Sequence, residues 1–239
     1  MVRGIRVTAI LAVVALIGLL VPAVSQSREV REAGGRGFFM VGGANLDINN
    51  LNARLKANGY PEFSKNLVSF GGSGYGIVNR VIIGGEGHTF FGRKTTIGDS
   101  QSSISAAYGC FNLGYLLYSK KGVNIYPIMG IGGGEMSFKI VERSSPTFDG
   151  LLVNPKRNAG LSTDVFLLSV GLGVDKLVNL GGDEKGEGGL AIGLQVGFTF
   201  APNIGEWSLE ERNIAGGPEI GITGPYVRLM FGGGGSGKD

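Results

Sequence analysis

Two stretches near the C-terminal end place an apolar side chain at every second position: Phe166, Leu168, Val170, Leu172 and Val174, then Leu190, Ile192, Leu194, Val196, Phe198 and Phe200. The residues between them are small or polar (Ser169, Gly171, Gly173, Asp175; Ala191, Gly193, Gln195, Gly197, Thr199), Leu167 excepted. A period of two marks an extended strand with one apolar face. Each stretch runs about nine to eleven residues, the length a tilted strand needs to cross a bilayer, and one polar turn joins them. The pattern predicts a membrane-spanning β-barrel, with these eleven side chains facing lipid and glycine with its small polar companions facing the lumen.

The N-terminus supports export. Arg3 and Arg6 precede an apolar core from Ile10 to Val21, followed by the small-x-small pattern Pro22-Ala23-Val24-Ser25. That is a cleavable secretion signal; the apolar run is short for a permanent helix. Residues 1–25 are therefore read as signal peptide, 26–231 as barrel and 232–239 as a flexible glycine-rich tail. Cleavage removes two of the 22 basic side chains against 19 acidic ones, leaving a nearly neutral chain with nothing that points to a nucleic-acid partner. The single cysteine, Cys110, can form no internal disulfide and reads as a small packing residue. Glycine is 45 of 239 residues and is interspersed. In a soluble core that forfeits burial, whereas a narrow barrel uses small inward residues to relieve crowding.

Beyond the signal no segment approaches the roughly 18 apolar residues of a membrane helix. Eight strands are expected: Arg36 to Ala44, Asn66 to Gly76, Arg80 to Phe91, Ser102 to Tyr118, Val123 to Val141, Thr163 to Val178, Gly189 to Phe200 and Glu219 to Phe231. Their connections alternate. Val78-Asn79, Lys120 to Gly122 and Asn179 to Gly188 are turn-like, whereas Asn45 to Lys65, Gly92 to Gln101, Glu142 to Ser162 and Ala201 to Pro218 are longer. Tight turns on the periplasmic side and long loops outside are the asymmetry of outer-membrane barrels. One helix is expected in the first long loop, with Asp47 as N-cap, an apolar stripe of Ile48, Leu51 and Leu55, and a stop at Gly59 and Pro61. Its stripe packs on the rim or caps the outer mouth. Tyr115, Tyr118 and Tyr126 around one turn, with Phe198 and Phe200 at the opposite strand end, suit two aromatic girdles. Trp207 reads equally as an interfacial anchor or a loop packing residue.

The final strand, Tyr226-Val227-Arg228-Leu229-Met230-Phe231, resembles the C-terminal signal by which bacterial outer-membrane proteins reach the barrel-assembly machinery, with Tyr226, Leu229 and Phe231 as its apolar positions. In that pattern the aromatic is normally last, whereas here Gly232 to Asp239 follow. Together with the export signal, the late strands and the loop asymmetry, it points to the small eight-stranded outer-membrane barrel class. The resemblance implies the outer membrane of a diderm bacterium, with membrane lipids and the assembly machinery as partners.

Chemistry is sparse. Glu86 and the only histidine, His88, share one face of the third strand. They read either as a hydrogen-bonded lumen pair with Arg80 or Arg228 as counter-charge, or as an acid/base pair with Ser103 or Ser105 as nucleophile. No Gly-x-Ser-x-Gly surrounds either serine, which favours the first. No metal or cofactor is expected: one histidine and one cysteine give no zinc spacing, and Asp183, Glu184 and Glu187 lack the alternation of a calcium loop. Gly232 to Lys238 matches a phosphate loop only formally, since Asp239 follows and no helix can. The glycine clusters at 71–76 and 130–134 read as bends or bulges.

The leading expectation is a non-enzymatic outer-membrane protein, envelope-structural or binding an external ligand through its long loops. The alternatives are a narrow channel or small-ligand carrier, a lumen lipid-modifying enzyme using Glu86 and His88, and a soluble exported lipid-binding barrel with its apolar face turned inward.

Overall fold

The structure, a computed structural model, describes residues 33–98, 100–142, 149, 158–183, 186–202, 206–209 and 212–237. Residues 1–25, which the sequence pattern reads as an export signal, together with Glu184 and most of the third long loop lie outside the described residues, as do the side chains of Asp183 and Glu187. The elements are β1 (Gly34–Asn45), α1 (Asn49–Ala57), β2 (Asn66–Val78), β3 (Val81–Phe91), β4 (Thr95–Ile97), β5 (Ser100–Tyr115) and β6 (Tyr118–Lys120), followed by β7 (Val123–Glu142), β8 (Asn158–Asp183), β9 (Gly186–Phe200), β10 (Trp207–Leu209), β11 (Arg212–Ile214) and β12 (Gly224–Gly237).

The long strands β1, β2, β3, β5, β7, β8, β9 and β12 each pair antiparallel with the next, and β12 pairs back onto β1 from Ala44↔Tyr226 to Gly34↔Ser236. The chain is thus a single closed up-and-down barrel of eight strands, the architecture of the small outer-membrane class. Closure satisfies the backbone of every strand in the ring and leaves it no edge. The short strands are accessories: β4 pairs with β5, β6 with β7, and the hairpin β10–β11 adds to β8 at Ser162 and Leu161.

Alternation holds as the late strands dictate. Phe166, Leu168, Leu172 and Val174 on β8 and all six apolar positions of β9 point outward and are exposed. Exposed Asp164 and Lys176 bracket the β8 run, leaving a stretch of about ten residues, a tilted bilayer-crossing length. Leu167, the exception to the alternation, is fully buried, since at that level the lumen itself turns apolar.

Four expectations about elements need correction. The segment from Gly232 is no loose tail: β12 continues to Gly237, paired with β1 and with Gly186 to Ala191 of β9. Glycine is required there because a Cβ at Gly232 would run into the carbonyl oxygen of Gly37. The strand starts at Gly224, so Glu219 lies in the preceding loop. The glycines at 71–76 and 130–134 sit in unbroken ladders, and the single register shift in these pairings falls at Asn179/Gly181. Finally, the helix N-cap is Ile48, while Asp47 accepts a hydrogen bond from Asn49 Nδ2 (2.5 Å) one residue earlier.

The loop end of the lumen is filled. Leu67, Phe90, Ile104, Met136, Phe138, Val165 and Leu167 line it, and Leu51 and Leu55 of α1 pack into them with Leu46, Ile48, Phe63, Ile220 and Ile222. Each such burial is worth about 1.5–3 kcal/mol, so the helix caps the mouth. Trp207 is a packing residue of this cap, 3% exposed, with Nε1 donating to the Pro218 carbonyl (2.9 Å). Tyr126 is no girdle residue: it faces the lumen, where its ring meets Tyr75 edge-on.

Candidate functional site

Below the apolar cap lies a polar layer built from four strands. Glu86 on β3 accepts hydrogen bonds at Oε1 from Arg228 Nη1 (2.9 Å) and the Tyr108 hydroxyl (3.0 Å), and at Oε2 from Gln195 Nε2 (3.4 Å). Arg228 also donates from Nη2 to the Tyr108 hydroxyl, and its guanidinium stacks 3.7 Å from the Tyr226 ring centre. An ion pair with three further polar partners satisfies charges that an enclosed lumen otherwise leaves expensive.

Of the two counter-charges expected for Glu86, Arg228 holds the place; Arg80 stands in the β2–β3 turn with a φ of 72°. His88 Nε2 is 4.0 Å from Glu86 Oε1, too far for a hydrogen bond, and the imidazole packs on Tyr108 and Phe90. Neither of its nitrogens has a hydrogen-bond partner among the described residues. Ser103 and Ser105 alternate with the inward Ser102, Ile104 and Ala106 and so stand on the outer face of the sheet, across the wall from Glu86 and His88. The acid/base pair and its suggested nucleophiles are not brought together. Cys110 is buried beside Asn112, its Sγ 3.3 Å from Oδ1.

A second polar layer crosses the lumen nearer the turn end. Asp175 on β8, fully buried, accepts from Arg36 Nε of β1 (3.2 Å), Tyr75 Oη of β2 (2.5 Å) and Asn124 Nδ2 of β7 (3.5 Å). Sequence reasoning missed this group, as well as Tyr108 and Gln195. The signal was present: Asp175 and Gln195 are the largest polar residues at the non-apolar positions of the two alternating runs. Likewise a period of two sets Tyr226, Arg228 and Met230 inward, all buried, and Val227, Leu229 and Phe231 outward, so Tyr226 does not share a face with the other two positions of the assembly signal.

At the outer face of the cap a crevice of about 210 Å³ opens between α1 and the β10–β11 hairpin. Leu51, Leu55, Phe138, Leu161, Trp207 and Ile214 make it almost wholly apolar, and Arg54 stands among its lining residues, bonded to the Gly216 carbonyl. Gly217 completes the wall, since a Cβ there would enter the Trp207 ring.

No family model matches the sequence, and no curated protein matches it. Among solved structures the chain is similar to Ail, the attachment invasion locus protein of Yersinia pestis, crystallised with the heparin analogue sucrose octasulfate (12% identity, 86% of this chain and 97% of that one, TM-score 0.40). It is also similar to the outer membrane protease OmpT of Escherichia coli (10%, 87% and 95%, 0.31) and the outer membrane protein OprG of Pseudomonas aeruginosa (13%, 88% and 98%, 0.33). At these identities and scores no activity, ligand or partner transfers, and the barrel assignment rests on the closed strand pairing itself.

Proposed function

We propose that this protein is a non-enzymatic, envelope-anchored outer-membrane barrel that binds an external partner through its capped loop end. The observation that carries this reading is the cap. α1 and the last long loop turn their apolar faces inward and leave a formed apolar crevice at the surface, with Arg54 among its lining residues. Such a crevice suits an apolar side chain or short alkyl group ending in an acid. The outward apolar belt supports residence in a bilayer and runs opposite to a soluble carrier, whose apolar positions would face in. The separation of Ser103 and Ser105 from Glu86 favours a non-enzymatic role. Against a channel stand the cap and the Glu86–Arg228 layer below it.

The chain holds a single tryptophan, Trp207, in the crevice wall, so its emission reports occupancy. Titrating hexanoate below micellar concentrations into the refolded protein should shift that emission saturably, and Ile214→Arg should abolish the response. A linear change of equal size in both proteins would remove the crevice from consideration.

A further inference from the structure

The turn end of the barrel holds a different cavity, a vestibule of about 370 Å³ beneath the Asp175 layer. Its size lies at the low end of small-molecule sites, which run about 300–1,000 Å³. Two cations line it from opposite walls. Arg36 comes from β1 and is 6% exposed, whereas Lys121 comes from the β6–β7 turn and is exposed. The turn is folded over the mouth. Leu177 N donates to the Gly122 carbonyl (2.8 Å), and Gly122 takes a φ of 76° where a Cβ would press on the Leu177 carbonyl. That clamp, rather than the length of a flexible side chain, sets Lys121 at the rim.

Among the described residues, the acid that faces this cavity's cations is already engaged. Asp175 has no exposed surface and already accepts from Arg36, Tyr75 and Asn124. Arg36 engages Asp175 through Nε and the Gly235 carbonyl through Nη1 (3.4 Å), which fixes the guanidinium plane while it still lines the cavity. Ile77 and Leu177 supply apolar walls, and Asn124, itself held by Ser119 Oγ (2.8 Å), adds a polar one. Arg36, its charge balanced by Asp175, offers an anion fixed N–H donors, and Lys121 at the rim supplies the net positive charge that draws anions in.

We propose that this vestibule is a binding site for a small oxyanion, the carboxylate or phosphate group of a compound small enough to enter from the turn end. Arg36 is the floor contact and Lys121 the rim contact. The site is separated from the outer crevice by both polar layers and does not depend on it.

The test is calorimetry on the full mature chain in zwitterionic detergent, titrated with inorganic phosphate and, separately, acetate, each at ionic strength matched with potassium chloride. Saturable heat with either anion beyond the chloride control supports the site, and the anion that gives it identifies the source. Lys121→Asn, at a position whose φ of 52° asparagine tolerates, should weaken binding about fivefold, the loss of one partly screened charge. Arg36→Gln combined with Asp175→Asn removes both charges with little change of shape and should abolish binding. Heats no larger than chloride for both anions, or equal affinity in Lys121→Asn, overturn the proposal; the exposed Lys121 variant keeps the test decisive if the double variant does not fold.

Discussion

Arg228 on the last strand and Glu86 on the third are 142 residues apart in sequence and 2.9 Å apart in the lumen, so the pair clasps the barrel across its interior. Strand order alone would leave β3 and β12 three positions apart around the ring, with β1 and β2 between them. Replacing Arg228 by methionine strands a buried carboxylate, which costs about 3–5 kcal/mol, whereas pairing that change with Glu86→Gln removes the orphaned charge and recovers most of the loss. Urea unfolding of protein refolded into vesicles measures both. Equal destabilisation by the single and double variants would show that packing around Arg228, and not charge, governs the layer.

The cap and the polar layer form two seals in series. Leu51→Asp places a charge in the apolar cap and should loosen α1, exposing 46–65 to protease while the barrel stays folded on a gel. Planar-bilayer currents should nonetheless stay flat in both native and Leu51→Asp protein, since the Glu86–Arg228–Tyr108 layer still closes the lumen. Steady conductance by the native protein would instead favour the channel reading.

The late strands were legible in both position and facing because their two faces differ in size: large apolar residues outward, glycine and small polar residues inward. The early strands β1, β2 and β3 were legible in position but not in facing, because glycine occupies both faces. Gly71 and Gly84 point inward, Gly72, Gly74, Gly85 and Gly87 outward, and the register places Gly72, Gly87, Gly109 and Gly133 in one row across four strands. Glu86 and His88 could be placed on one face from spacing, but Arg228 becomes the partner only through closure of β12 onto β1. The Arg36–Asp175 pair and the vestibule depend on the same closure, and no local spacing encodes them.

The two kinds of glycine should behave differently when a methyl group is added. At inward Gly134 the Cβ would strike the Ala107 carbonyl and the Tyr108 backbone, an overpacking that costs about 1–3 kcal/mol or more. At outward Gly109 the nearest atom is the Glu86 carbonyl oxygen at 3.9 Å, an ordinary contact, so alanine should change stability by no more than about 0.5 kcal/mol. Heat-modifiable gel migration should show Gly134→Ala unfolding at lower temperature than Gly109→Ala. The reverse order would mean that the inward and outward faces of β5 and β7 have been exchanged.

The outward belt makes the membrane assignment measurable position by position. Leu194 lies in the middle of the β9 run, opposite Val174 on β8, and an arginine there must sit in hydrocarbon or drag water toward it, a cost of about 2–4 kcal/mol. Leu180 is 69% exposed but lies beyond Lys176, where the belt has ended, so Leu180→Arg should cost no more than about 1 kcal/mol. In detergent the difference should shrink, because a micelle deforms around a charge more readily than a bilayer, so vesicle unfolding is the deciding measurement. Spin labels at Leu168 and Leu194 provide the independent check, with lipid-borne quenchers reaching both. Arginine tolerated equally at Leu194 and Leu180, together with labels shielded from those quenchers, would place this face against protein instead of lipid.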